Sequence, residues 1–412
     1  MMTMRRSCPV LALVLAAAFA NAAPQKPPTQ SQPASPPAKT GTTKRAPATP
    51  PEDFDKLRAR ADAARETDQI PEAISLYREL VQIRPKWSEG WWYLGALQYE
   101  QDQFADAAEA FRKHVVLEPV NGQAWAMLGL CEFRAREYAK SLQYLTKART
   151  LGLGTNEELA RVVRYHQALL FTLGRQFEAA LKLLTGFAVE HRESPPVVEA
   201  MGMAALRIPD LAVNLLPPDL EMARKFGKAQ FLLGERKDGE AMEMFRKLET
   251  EYRGKANTAY ALGAAMLVVG EHEQALKYFK QELEQDPKHV PAMIQYALEA
   301  IELERFEDGL VYARRATEVA PDDFAGYYAL GRILLYLNDL TGSIATLEKA
   351  ALLAPDSASV FYTLSQAYLR ANRKSESDRA LAEFRRLDAL EKQRRTGVSP
   401  ETRESQPNPP RQ

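Results

Sequence analysis

Cysteine is scarce: Cys8 and Cys131 are the only two in 412 residues. Cys8 falls in a segment expected to be removed, which leaves Cys131 alone and excludes an intramolecular disulfide. No histidine or cation stands near Cys131 at a spacing that would activate a thiol, so it reads as a small buried hydrophobe on a helix. Histidine is also rare. His114, His166, His191, His272 and His289 are all there is, and none pairs at a metal-ligand spacing such as His-x-x-x-His. There is no Gly-x-Ser-x-Gly elbow and no Walker-type phosphate loop. Glu and Asp are plentiful but share helix faces with Lys and Arg. The expectation is no metal, no cofactor and no catalysis.

Net charge is missing too, with 54 basic and 54 acidic residues whose signs alternate along the body of the chain. A nucleic-acid binder would carry a basic excess or stripe, so nucleic acid is excluded as the main partner. Beyond the N-terminus no apolar run approaches the roughly 20 residues a membrane helix needs. The mature chain is therefore expected to have no membrane span.

The N-terminus reads as an address. Arg5 and Arg6 precede an apolar run from Pro9 to Ala20, and Ala20-Asn21-Ala22 fits a small-x-small cleavage site. That is the pattern of a secretory signal peptide over 1–22, cleaved near Ala22. It implies export to the periplasm or the extracellular space. Residues 23–53 form a Pro-rich linker, cationic from Lys26 to Arg45, and are expected to be disordered. The polar tail 392–412 is expected to be disordered as well.

What the sequence does have is a period. Trp91, Leu94 and Gly95 recur as Trp125, Leu128 and Gly129, an offset of 34. Pro287, Pro321 and Pro355 are 34 apart, as are Pro85 and Pro119. In the clearest unit, 88–121, the apolar positions 4, 7, 8 and 11 make one face of a first helix. Small residues at 8 and 20 let two helix backbones approach. An aromatic at 24 fills the gap between neighbouring repeats, and proline at 32 ends the second helix. The small residue at 20 reads Ala73, Ala107, Ser141, Ala180, Ala241, Ala275, Gly309, Ser343 and Ser377.

A 34-residue period with Trp, Leu-Gly, Ala, aromatic and Pro in this order resembles the tetratricopeptide-repeat family. The resemblance implies an all-α fold, a right-handed superhelical solenoid of helix-turn-helix units. Four repeats are expected over 54–194 and five over 222–391. A degenerate unit at 195–221 is expected to kink the array, because Pro209, Pro217 and Pro218 oppose a full second helix. Residues 152–156 read as a helix stop followed by a helix cap, since a lone Gly-x-Gly with no strand before it is a weak phosphate signal.

The resemblance further implies binding of a protein or peptide partner in a concave groove lined by first-helix positions 2, 5, 9 and 12. Carried across, the candidates are Trp92, Tyr99, Phe133, Tyr165, Phe226, Tyr260, Tyr328, Arg332 and Tyr362. Aromatics give contact area with few rotors to freeze. The same residues also read as packing between neighbouring repeats. The Lys/Asn pair that one subclass uses to grip a terminal carboxylate is absent, for Trp92 with Ala96 and Ala126 with Leu130 stand there. The function expected is an exported, non-catalytic scaffold. The alternative is a cell-envelope adaptor, or an accessory subunit of a biosynthesis or secretion complex, that uses the cationic arm.

Overall fold

The computed structural model describes residues 53–396. The expected signal peptide, the linker through residue 52 and the tail from 397 lie outside the described residues. Within them are nineteen α-helices and no strand. The first six are α1 (Phe54–Glu66), α2 (Ile70–Ile83), α3 (Ser88–Glu100), α4 (Phe104–Leu117), α5 (Gly122–Arg134) and α6 (Tyr138–Leu151). Then come α7 (Glu157–Leu173), α8 (Phe177–Val189), α9 (Pro195–Ala205), α10 (Pro217–Gly234), α11 (Asp238–Glu251) and α12 (Thr258–Val268). The rest are α13 (His272–Gln285), α14 (Val290–Glu302), α15 (Phe306–Val319), α16 (Phe324–Tyr336), α17 (Leu340–Leu353), α18 (Ala358–Arg370) and α19 (Lys374–Thr396).

The described chain divides into two units. One ends at Leu184 and includes Pro209–Leu215. The other is made of Thr185–Ile208 and the residues from Leu216 onward.

The first helix of each repeat ends the same way. Asp68, Asp102, Arg136, Arg236, Glu304, Asn338 and Asn372 all have φ between 57° and 63°, and Gly270 takes the same place at 81°. The next residue then bonds back five positions, as Gln69 N–H does to Ala64 O at 2.8 Å and Arg305 N–H to Ala300 O at 2.7 Å. This is the left-handed cap that satisfies otherwise orphaned carbonyls. Asn and Asp visit that region readily. Arg136, Arg236 and Glu304 are held there by the cap.

Positions 8 and 24 of one repeat are matched. A Cβ on Gly95 would lie 3.1 Å from the Phe111 ring, and one on Gly263 would lie 2.6 Å from the Phe279 ring. On Gly129 and Gly331 it would meet Leu145 at 2.7 Å and Leu347 at 2.5 Å. The bulk at 24 thus occupies the space that position 8 leaves free. Serine is tolerated at position 20 because its hydroxyl finds a partner. Ser141 and Ser343 donate to the carbonyls of Gly129 and Gly331, and Ser377 to that of Ser365, each at 2.8 Å. Successive repeats are tied by the position-4 tryptophans, whose Nε1–H groups donate to Pro85 O and Pro119 O at 2.9 Å.

Three boundaries differ from expectation. Helix α7 starts at Glu157, earlier than 161, because Asn156 caps it by accepting from Leu159 N–H at 2.9 Å. Between Ala205 and Pro217 there is only a short 3-10 turn, Ala212–Asn214. Pro217 and Pro218 do not merely oppose a helix but open α10, since proline suits the first turn, where its missing N–H costs nothing. Helix α19 runs to Thr396 and so carries helix into the stretch from 392 expected to be a polar tail. A Lys392–Asp388 pair at 2.7 Å, one turn apart, supports it there.

Helix α9 lies directly on α10, and glycine makes this possible. A Cβ on Gly202 would fall 1.7 Å from Ala223 O, and one on Gly227 would fall 1.8 Å from Val198 O. The two backbones touch there.

Candidate functional site

The candidate groove residues do not share one environment. In the first unit the Trp92 ring is half-buried against Phe111 and His114, both 5.6 Å away. Tyr99 is buried, with the edge of Phe104 on its ring. Phe133 packs on Tyr138 and, at 4.8 Å, on His166, which in turn meets the buried Tyr165. These rings join α5 to α7 and spend most of their surface doing so.

In the second unit Phe226 is 0% exposed, enclosed by Phe245 and Tyr252. It is a core residue and offers nothing to a ligand, which corrects its place in the groove. Tyr260 is buried between Phe279 and His289, and its hydroxyl accepts from Arg207 Nη1 at 3.3 Å. Position 5 therefore serves mainly as a contact to the second helix of its own repeat, Trp92 to Phe111, Phe226 to Phe245 and Tyr260 to Phe279.

Tyr328, Arg332 and Tyr362 are brought together. With Leu335, Tyr336 and Arg370 they line a pocket of about 590 Å³ between α16 and α18. Tyr336 is 51% exposed, Tyr362 45% and Leu369, also in the lining, 61%. Tyr336 is braced by Phe306, whose ring lies parallel at 5.1 Å, and Tyr362 by Phe384 at 5.1 Å. These are preset apolar surfaces that face open space.

Tyr336 and Arg370 were missed because the four-position rule omits position 13, and Leu369 because only aromatics were carried across at position 12. The sequence held no clear signal there, for position 13 reads Glu66, Glu100, Arg134, Leu173, Gly234, Val268 and Glu302 in other repeats.

In the first unit a smaller crevice of about 210 Å³ is lined by Arg78, Gln98, Asp106 and Glu109. Burial pushes the Cys131 thiol up, out of the reactive range. No described helix is long and apolar enough to cross a membrane.

Two histidines are structural and neutral. Burial lowers His166 to about 4, with Nδ1–H donating to Val162 O at 2.8 Å. His289 is lowered to about 4 by burial and then by the Arg207 charge, against a smaller raising effect from Asp286. Its Nδ1 accepts from Ala292 N–H at 3.1 Å to cap α14, and its Nε2 meets Asn257 Oδ1 at 2.9 Å. Protonation at Nδ1 would abolish the cap.

Both folded values lie below the unfolded one near 6.5. Their contribution is full above about pH 6.5 and is lost as pH falls towards 4. Asn121 holds the equivalent cap position without titrating. His289→Asn should therefore match wild type in urea at pH 7.5 and retain about 2 kcal/mol more at pH 4.5. Equal losses in both proteins would show that His289 titrates normally.

No curated protein matches the chain. Several solved structures are similar to part of it. MamA from Desulfovibrio magneticus RS-1 is 19% identical, covering 40% of this chain and 94% of that one, with a TM-score of 0.38. A second MamA crystal structure is 14% identical, covering 40% and 96%, with a TM-score of 0.37. YrrB, described as a TPR protein with an unusual peptide-binding site, is 17% identical, covering 40% and 84%, with a TM-score of 0.35. The family profile described as tetratricopeptide repeat matches residues 58–117, 94–152 and 295–359. Those matches fall on helix pairs that repeat at 34 residues and end in the same left-handed cap. Over those residues the chain carries tetratricopeptide repeats.

Proposed function

We propose that this chain is an exported, non-catalytic scaffold that holds a protein or peptide partner on its first-helix faces, chiefly between α16 and α18. Tetratricopeptide-repeat proteins are in general non-catalytic scaffolds that bind protein or peptide partners. The observation that carries the reading is the 590 Å³ pocket, where Tyr362 stays exposed while Tyr165, Phe226 and Tyr260 at the same repeat position are buried. Exposed aromatics grouped in a concavity are what recognition uses.

The test is to capture partners with the whole chain, then titrate the captured partner against wild type and a Tyr328→Ala/Tyr362→Ala variant. Two lost aromatic anchors should weaken binding by about 50-fold or more with helicity unchanged. A variant that binds as well as wild type would move recognition off this face. Export rests on Arg5-Arg6, the apolar run and Ala20-Asn21-Ala22. N-terminal sequencing of the native protein should start near Ala23, and an intact Met1 would exclude cleavage.

A further inference from the structure

The pocket between α16 and α18 is electrically one-sided. Arg332 and Arg370 line it, and no aspartate or glutamate does. Arg332 shares its charge with Glu302 at 3.4 Å. Arg370 is held differently. Its Nη1 donates to Leu335 O at 2.7 Å, in the last turn of α16, where helix carbonyls lack an internal partner. That bond fixes the guanidinium without neutralising it and uses one of its five donors. Among the described residues Arg370 has no ion pair. A charged fork, pre-oriented and unspent, suits a carboxylate, which it can take bidentately. Beside it lie Tyr362 and Leu369, both open to solvent.

We infer, resting on the groove reading above, that the occupant is an extended peptide segment of mixed acidic and apolar chemistry. A side-chain carboxylate pairs with Arg370, and an aromatic or aliphatic side chain lies on Tyr362. A basic segment would bring like charge against two arginines as water leaves, which opposes binding. Tyr362 and Arg370 are eight residues apart on α18, about 12 Å along a helix. An extended chain covers that distance in about four residues. The acid and the apolar residue should therefore sit three to five positions apart.

The probe is a randomised library of acetylated, amidated dodecapeptides, so that every carboxylate is a side chain. It is panned on the whole chain. Wild type should enrich peptides with Asp or Glu three to five positions from an aromatic or aliphatic residue. In the best of these, Glu→Gln should weaken binding about tenfold to wild type and leave binding to Arg370→Gln unchanged. Tyr362→Ala should lose all of them.

Enrichment of neutral or basic peptides that still depend on Tyr362 would leave the groove standing and overturn the acidic preference. Acidic peptides indifferent to Arg370→Gln would overturn the role of Arg370. Peptides indifferent to both Tyr328→Ala and Tyr362→Ala, or none enriched, would sink the groove reading and this inference with it.

Discussion

Phe279→Ala should cost about 4 kcal/mol. The ring is fully buried and sits on Gly263 with Tyr260 beside it at 5.7 Å. Removing it leaves a cavity bounded by helix backbone, which cannot collapse easily. The sharper test is the pair. Gly263→Ala alone should cost about 2 kcal/mol, because its Cβ would press on the ring. In a Phe279→Ala background that cost should vanish, since the new methyl enters the vacated space. Urea unfolding of the four proteins completes the cycle, and simply additive losses would mean that the two positions are not matched by size.

Gly202→Ala should destabilise the second unit by about 3 kcal/mol or more, and Gly227→Ala similarly. Alanine is the better helix former by about 1 kcal/mol, so the sign of the effect is itself informative. The new Cβ would need a neighbouring backbone to retreat by more than an ångström. Gly239→Ala is the control. It is in the first turn of α11, meets nothing within 4 Å, and should be neutral or slightly stabilising. Hydrogen exchange should locate the Gly202 loss at α9 and α10. A variant as protected there as wild type would show that the two helices pack through side chains after all.

How much of this was legible depended on what the period encodes. A 34-residue spacing fixes which positions correspond, so the small residues at 8 and 20 and the proline stop could be read from one unit and carried to the others, whereas the fit of 24 against 8 within one repeat appears only in the structure. It does not say which side of a corresponding position is covered. Phe226 and Tyr362 hold the same place in the repeat, yet one is sealed by Phe245 and Tyr252 while the other faces open space. Phe226 is covered by residues of its own repeat whose counterparts differ in the last one, and correspondence of position alone does not weigh that.

Boundaries failed for a related reason. Pro217 was read as opposing a full second helix, but at the first turn of a helix the same ring is a start. The left-handed residue at position 15 left no compositional trace. Asp, Arg, Glu, Asn and Gly all stand there, and a backbone bond does the selecting.

The backbone contact between α9 and α10 also bears on how such a chain can vary over descent. Arrays of like repeats lengthen and shorten by recombination, and a copied 34-residue unit fits beside any neighbour that meets it through the usual side chains. The stretch from Pro195 to Gly234 breaks that interchangeability. It lacks a second helix, and it presents two glycines that no other repeat carries in this arrangement. A unit duplicated from elsewhere could not be spliced in between. Repeat number is thus free to drift on either side of this stretch, while the stretch itself should be inherited whole.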